Sequence, residues 1–590
     1  MKKTKIFLTM LLLTSTLLTS CNNALGSNEN DYIEKQVPVY HYDMEKLDTS
    51  ALCRFYKEYP TIPYIDINSY YKYLLNKEVI VSPVKDNIYS IETSMGNATI
   101  DVENDILYSE DYNQFINTTI YRSNESHNTY YDGAPYLKVG TFNSNKTASP
   151  KTIDFKKYKI DFKYHDNKIW APLITFSDIF KGVTMIQSFY DGKNIYFMDS
   201  NNLNVNPCFS KRAYYKNIKE TYYPNNVRNA KVAELSYLEM CFVIDNYYGL
   251  PGRSPLDEMI SEHGLDYALE NYSESSKLVK KFLLSTDLSE YIAGMKFLDN
   301  LLNDGGHTVI AAGISSLYNS GVLSFSIKNE IDTLINKSGY EYIPNSRNFD
   351  ENAYAKARNN STQNQTFVSK GDTFIYKFDM FDIDYDAWND YYAGISEELP
   401  NDSIGNFHRG ISQAKDNKSI KNFVIDITIN GGGFGDVVMY LMNAIANKPS
   451  MYYYDHIDKR HIKQDYLCDL NLDGEFNELD SGPIAGFNFG ILTSQISFSC
   501  ANLLPALAKD NGIAILGEDT GGGACAVLDN CSMEGLYYRT SSFVHLNNSN
   551  FESIDAGVKV DYDLVNINGS FSLSNLYNID LISEKMNEYY

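Results

Sequence analysis

Two short apolar runs rich in β-branched residues, each ending in a cluster of glycines, constrain this chain most. Asn422-Phe423-Val424-Ile425-Asp426-Ile427-Thr428-Ile429 runs into Asn430-Gly431-Gly432-Gly433. Ile513-Ala514-Ile515-Leu516 runs into Gly517-Glu518-Asp519-Thr520-Gly521-Gly522-Gly523. Runs of this length without polar alternation read as buried strands that end in turns. Between them Phe489 to Thr493 is again strand-like, and a helical pattern from Ala501 to Lys509 follows it. Buried strands alternating with helices predict an α/β core, a β-sheet flanked by helices.

The hydroxyl at that strand-to-helix junction is Ser499, in Thr493-Ser494-Gln495-Ile496-Ser497-Phe498-Ser499-Cys500-Ala501-Asn502. A serine at the first turn of a helix faces free backbone N–H groups and the positive end of the dipole. An attacking oxygen and the oxyanion it creates are best stabilised there. Serine is also a common helix cap, so the residue takes its meaning from the rest of the chain. Three glycines at 431–433 let backbone approach a substrate closely. No Gly-Lys-Ser/Thr follows them, which excludes a phosphate-cradling loop. Farther upstream Leu288, Tyr291, Ile292, Met295, Leu298, Leu301 and Leu302 recur at helical spacing. Gly305 stops that helix in Asp304-Gly305-Gly306-His307-Thr308. His307, one of 9 histidines, is the candidate base on that loop.

In this order, the four segments resemble the tail-specific (C-terminal processing) peptidases and the tricorn core protease, a family of serine peptidases. The resemblance covers roughly residues 230 to 590. Gly557-Val558-Lys559-Val560-Asp561 is similar to the family's closing Gly-Val-x-Pro-Asp, with Val560 replacing the proline. The tail-specific enzymes carry a base lysine in the loop after Gly-Glu-x-Thr. This chain has Gly521-Gly522-Gly523-Ala524-Cys525 there, and Lys509 lies about three helical turns from Ser499, out of reach. The tricorn-like branch implies another arrangement. Ser499 would be the nucleophile and His307 the general base, and a carboxylate just before the closing motif would orient the histidine. Asp555 fits that place and Glu552 is the second candidate. The oxyanion hole would combine the N–H groups of Gly432 and Cys500. Gly306 stands where the tricorn protease has a serine, and Cys500 reads as a small buried hydrophobe. The implied activity is hydrolysis of a peptide or protein substrate, with no cofactor for catalysis. The missing lysine, Gly306 and the shortened Asp555 segment keep a second reading open: a catalytically inactive peptidase fold that acts as a binding or scaffold lipoprotein.

The chain begins with Lys2, Lys3 and Lys5, an apolar stretch from Ile6 to Leu18, and then Leu18-Thr19-Ser20-Cys21. A basic start, a short apolar core and a small-residue site describe a secretory signal over 1–20. The stretch is too short to span a bilayer. Cys21 sits where the bacterial lipobox has its acylated cysteine, which implies a lipid-anchored, extracytoplasmic protein of the cell envelope. A net charge of -24 argues against nucleic acid, which selects basic surfaces. Of the 8 cysteines, none has zinc-ribbon spacing, and Cys525 with Cys531 could bridge a hairpin or stay reduced. No feature fixes the oligomeric state.

The organisation read from these patterns is multidomain. A tether over 21–35 leads into a β-rich accessory module over 36–205, then a mostly helical part over 206–343. A linker or loop over 344–366, rich in Asn, Ser and Gln, precedes the catalytic core over 367–590. Pro63-Tyr-Ile-Asp-Ile and Ala171-Pro-Leu-Ile-Thr-Phe each set a short strand before a helix, like an internal duplication. The pair is similar to the small repeats of the copper-amine-oxidase N-terminal domain type.

One further constellation lies inside the core. Asp469-Leu470-Asn471-Leu472-Asp473-Gly474-Glu475-Phe476-Asn477-Glu478-Leu479-Asp480 matches calcium-loop spacing. Asp469, Asn471, Asp473 and Asp480 would supply side-chain oxygens, Glu475 a backbone carbonyl, and Gly474 the sharp turn. No helix pair flanks it, so a structural Ca²⁺ insertion at 469–480 is expected.

Overall fold

The computed structural model describes residues 31–40, 46–94, 96–116, 134–180, 186–198, 210–344, 347, 349–361 and 365–590. The signal segment, Cys21 and Cys208 lie outside them. The protein is multidomain, with a β-rich N-terminal region, a helical middle and a C-terminal α/β core.

In the core, Phe367–Lys370, Thr373–Lys377, Asn422–Asp426, Asn488–Thr493, Ala514–Gly517 and Tyr562–Asp563 lie side by side in chain order. The first two pair antiparallel and all later neighbours pair parallel. A parallel sheet needs both faces covered. Alternate residues accordingly separate into two packed layers. Phe423, Ile425 and Ile491 join the helices Ser403–Asp416, Gly435–Ala446 and Cys500–Asp510 on one face. Val424, Leu492 and Leu516 meet the helix Ile579–Tyr589 on the other. Three adjacent parallel strands therefore release the glycine turn after Asp426, the Ser499 turn and the 521–523 loop at one edge of the sheet. Crevices at the carboxyl ends of such strands are where α/β folds bind ligands.

A second, antiparallel sheet has the order Cys525–Cys531, Tyr537–Asn547, Ser450–Asp455, Arg460–Cys468, Leu137–Ser144. Its last strand comes from the N-terminal region, so that region is tied to the core by main-chain hydrogen bonds. Cys525 and Cys531 open and close one strand. Six residues of strand span about 20 Å, far beyond the 7 Å a disulfide tolerates, and both are buried. The hairpin bridge left open by the sequence is thus excluded.

The N-terminal region holds a seven-stranded and a five-stranded sheet. Its two similar segments become strand Tyr64–Asp66 with helix Ile67–Leu75 and strand Lys168–Pro172 with helix Leu173–Ile179. The two strands pair antiparallel, Trp170 against Asp66 and Pro172 against Tyr64.

In the helical part, Leu288–Leu301 is buried on more than the predicted face, since Ala293, Gly294 and Phe297 are buried too. The segment read as a linker contains a helix, Glu351–Asn359, capped by the Asp350 carboxylate. Its polar composition hid two anchors: the Tyr354 hydroxyl donates to Glu518 at 2.5 Å, and Arg358 makes two bonds to Asp379. The calcium-type loop closes on itself. Asp469 accepts the Gly474 N–H at 2.7 Å and Asp480 those of Leu470 and Asn477 at 2.8 Å. Leu472 and Gly474 adopt positive φ.

Among the described residues, no helix is long and apolar enough to cross a membrane.

Candidate active site

Ser499 is the first non-helical residue before the helix Cys500–Asp510, at φ 58° and ψ −120°. A side chain in this region costs about 1–3 kcal/mol of backbone strain, which must be held by surrounding bonds. The holding bonds are present. Ser494 Oγ and Ser497 Oγ donate to the carbonyls of Thr428 and Ile427, pinning the turn to the neighbouring strand end. The Phe498 N–H donates to Asn430 and the Ser499 N–H to Gly522 at 3.0 Å. The Ser499 side chain makes no capping bond, so the cap role is not what it does. A sharp strand-to-helix turn of this kind presents a hydroxyl at the top of a sheet.

The glycine turn packs directly on it. A Cβ at Gly432 would come within 2.7 Å of Ser499 Cβ and 3.1 Å of the Cys500 nitrogen, so only glycine fits at φ 109°. The Gly432 N–H itself donates to Asn430 Oδ1 at 2.8 Å. Of the two expected oxyanion donors, then, Gly432 is engaged. The Cys500 N–H has no acceptor among the described residues. The Cys500 thiol donates to the Gly433 carbonyl at 3.0 Å, and burial pushes its pKa up to about 12. It is no nucleophile.

His307 stands next to this turn. Its ring meets that of Phe498 with centroids 4.7 Å apart. Asp304, three residues earlier, shapes the loop: Oδ1 accepts the N–H groups of Gly306, His307 and Thr308, and Oδ2 accepts the hydroxyls of Thr308 and Ser541. Arg539 closes it from the other side through the carbonyls of Gly306 and His307. Burial pulls the His307 pKa down to about 4. Asp304 opposes that shift, and the guanidinium groups of Arg539, Arg347 and Arg253 reinforce it. The imidazole is neutral near pH 7, the form a base must have. No hydrogen bond joins the imidazole to Ser499 among the described residues; in unliganded sites such contacts are often long.

Asp555 goes elsewhere, which corrects the orienting role read for it. Its Oδ1 accepts the Ala524 N–H at 2.8 Å, and its carbonyl is held by Arg253. Its Oδ2 then lies 3.7 Å from His545 Nε2 rather than against His307. Burial raises its pKa to about 6. Glu552, the second candidate, is exposed and bonded to Asn548.

The loop in which the resemblance places a lysine is backed by aromatic surface. At Gly523, φ 84°, an added Cβ would run into the Phe498 ring. Lys509 pairs with Asp561 and Lys559 with Asp519 rather than with Ser499.

Phe498, Arg347, Arg253 and Asp304 were not singled out from the sequence. Asp304 had a readable signal, since Asp before two glycines is turn chemistry. The arginines had none. Arg347 stacks over Phe498 at 4.1 Å and donates to Gly305 and Gln495, carrying a polar segment into the site.

Residues 393–564 match the model of Peptidase family S41, a stretch that contains Gly432, Ser499, Cys500 and Asp555 but not His307. No curated protein matches the chain. Among solved structures, a protein assigned as a peptidase from Parabacteroides merdae is similar at 12% identity and TM-score 0.38, covering 60% of this chain and 96% of that one. A lipoprotein from Streptococcus agalactiae is similar at 10% identity and TM-score 0.33, covering 61% and 97%. Mature CPAF is similar at 15% identity and TM-score 0.25, covering 38% and 52%. At such TM-scores these likenesses say nothing of activity. The match covers most of the C-terminal α/β core, which is thus similar to Peptidase family S41 over that stretch.

Proposed function

We propose that this protein is a serine endopeptidase of the tricorn-like type, exported and held at the bacterial cell envelope by a lipid on Cys21. The observation that carries the reading is the strained Ser499 backbone beside the open Cys500 N–H. Strain of this kind, held by bonds from two neighbouring loops, exposes a hydroxyl at a helix N-terminus.

Ser499 Oγ attacks the substrate carbonyl while His307 takes its proton. The oxyanion forms against the Cys500 N–H, with Gly432 as second donor once its N–H leaves Asn430. His307 then returns the proton to the departing amine, and water repeats the sequence on the acyl-enzyme. Backbone clamps from Asp304 and Arg539 set the place of His307, since no carboxylate among the described residues bonds its ring. The calcium-type loop stabilises the core as a Ca²⁺ site outside the chemistry.

The second reading, an inactive binding or scaffold lipoprotein, is favoured by Asp555 facing His545 and by the engaged Gly432 N–H. Digestion of a peptide library separates the two. The peptidase reading expects cleavage by the wild type and none by Ser499→Ala; an uncleaved library, or equal cleavage by both proteins, supports the scaffold.

A further inference from the structure

Cys525 and His545 are directly paired residues on neighbouring antiparallel strands. Side chains of such pairs project from the same face, with Cβ atoms about 4.5–5.5 Å apart. The Asp555 loop lies over them, fixed by the Ala524 N–H and by Arg253. As a result Cys525 Sγ, a His545 ring nitrogen and an Asp555 oxygen all lie within 4.8 Å of one another. Cys525 is 1%, Asp555 7% and His545 9% exposed. Asp555 Oδ2 and His545 Nε2 are both buried without a hydrogen-bond partner, and they face each other at 3.7 Å. A buried polar atom left unpaired is destabilising. Gly249 leaves room for the sulfur, since a Cβ there would come within 2.8 Å of it.

The geometry points to a binding site for a thiophilic divalent cation, Zn²⁺ in the first place, formed by Cys525, His545 and Asp555. Thiolate, imidazole and carboxylate at one point are a zinc donor set, and hard cations such as Ca²⁺ avoid the sulfur. Zinc bonds of about 2.0 Å to N and O and 2.3 Å to S imply ligand separations near 3.3–3.6 Å. With ligand atoms up to 4.8 Å apart, the cluster needs to contract by about 1.5 Å at most to reach them. Binding replaces the thiol proton, which leaves to solvent, and satisfies both orphaned atoms at once. Three protein ligands leave a fourth position for water. The site is distinct from the Asp469–Asp480 loop in donors and place.

The cluster also borders the candidate active site: Cys525 follows the 521–523 loop, whose Gly522 carbonyl receives the Ser499 N–H. A bound cation would therefore stiffen the loop behind Ser499. That consequence rests on the peptidase reading; binding itself does not, and is measured without activity.

Cobalt titration of the purified full-length protein, stripped of metal, tests the site. Co²⁺ should bind at one equivalent per chain with a thiolate-to-cobalt charge-transfer band and the intense visible bands of tetrahedral cobalt. Zn²⁺ should displace it. Cys525→Ser should abolish the charge-transfer band and His545→Gln should weaken binding at least tenfold, while Cys531→Ser keeps both. The wild-type spectrum alone decides if a variant fails to fold: no charge-transfer band in the folded wild type overturns the proposal. A band that survives Cys525→Ser overturns it as well.

Discussion

The imidazole of His307 lies against the phenyl ring of Phe498, centroids 4.7 Å apart, and Phe498 is the residue before Ser499. This contact joins two segments almost two hundred positions apart in the chain and puts a neutral histidine beside the strained serine. A lysine at position 523 would need the space that the same ring fills.

Replacing the base should therefore be costly and replacing the lysines should not. His307→Ala is expected to lower kcat on any cleaved peptide by at least about 10²-fold, the lower end of general-base assistance. Lys509→Ala and Lys559→Ala should stay within a few-fold, because each lysine is paired with a carboxylate, Asp561 and Asp519. Steady-state kinetics decide; a lysine variant that loses turnover while His307→Ala keeps it removes the histidine mechanism.

The pH profile follows from the His307 environment. Burial and three guanidinium groups hold its pKa near 4, and a base works only when unprotonated. The rate governed by His307 should be lost as pH falls through about 4 and should be flat from there toward neutrality. Arg347→Gln removes one of the cations, so the His307 pKa should rise and the acid limb of kcat/KM should move upward. A limb that stays in place, or moves to lower pH, contradicts this assignment.

Gly523→Lys should not restore a serine–lysine pair. The position has φ 84° and faces the Phe498 ring. Strain alone is worth about 1–3 kcal/mol, so the variant should melt at lower temperature with no gain in rate. Turnover by Gly523→Lys that no longer depends on His307 would show that the ring yields.

Much of the core was legible because buried strands and glycine turns write themselves locally. The strands predicted around 422–429, 489–493 and 513–516 appear as Asn422–Asp426, Asn488–Thr493 and Ala514–Gly517. Ser499 was legible for the same reason, as a junction between two periodic segments. The surroundings of His307 were not. Arg253, Arg347 and Arg539 reach the site from three separate segments, and no local pattern announces where a long side chain ends. Asp555 was placed by its spacing to the closing motif; its orientation depends on Ala524 and Arg253, which spacing does not encode. The helix Glu351–Asn359 escaped because a polar sequence conceals an anchor made by two residues, Tyr354 and Arg358.

The loop from Asp469 to Asp480 should take Ca²⁺ in preference to Mg²⁺, since a flexible loop with many oxygens suits the larger ion. Binding to the folded state alone raises stability by about 2.7 kcal/mol at a free ion concentration of 100 times Kd. Chelation should lower Tm, and Asp473→Ala should remove that sensitivity. Calorimetry on chelator-treated protein checks it, and absence of Ca²⁺ uptake by the wild type rules the site out.

The central claim is that Ser499 is the reacting nucleophile, and a fluorophosphonate probe followed by mass-spectrometric mapping tests it most directly. The account predicts a single adduct on Ser499 in the wild type, none in Ser499→Ala, and strongly slowed labelling in His307→Ala. A folded wild type that carries no adduct, or an adduct that persists in Ser499→Ala, would contradict it.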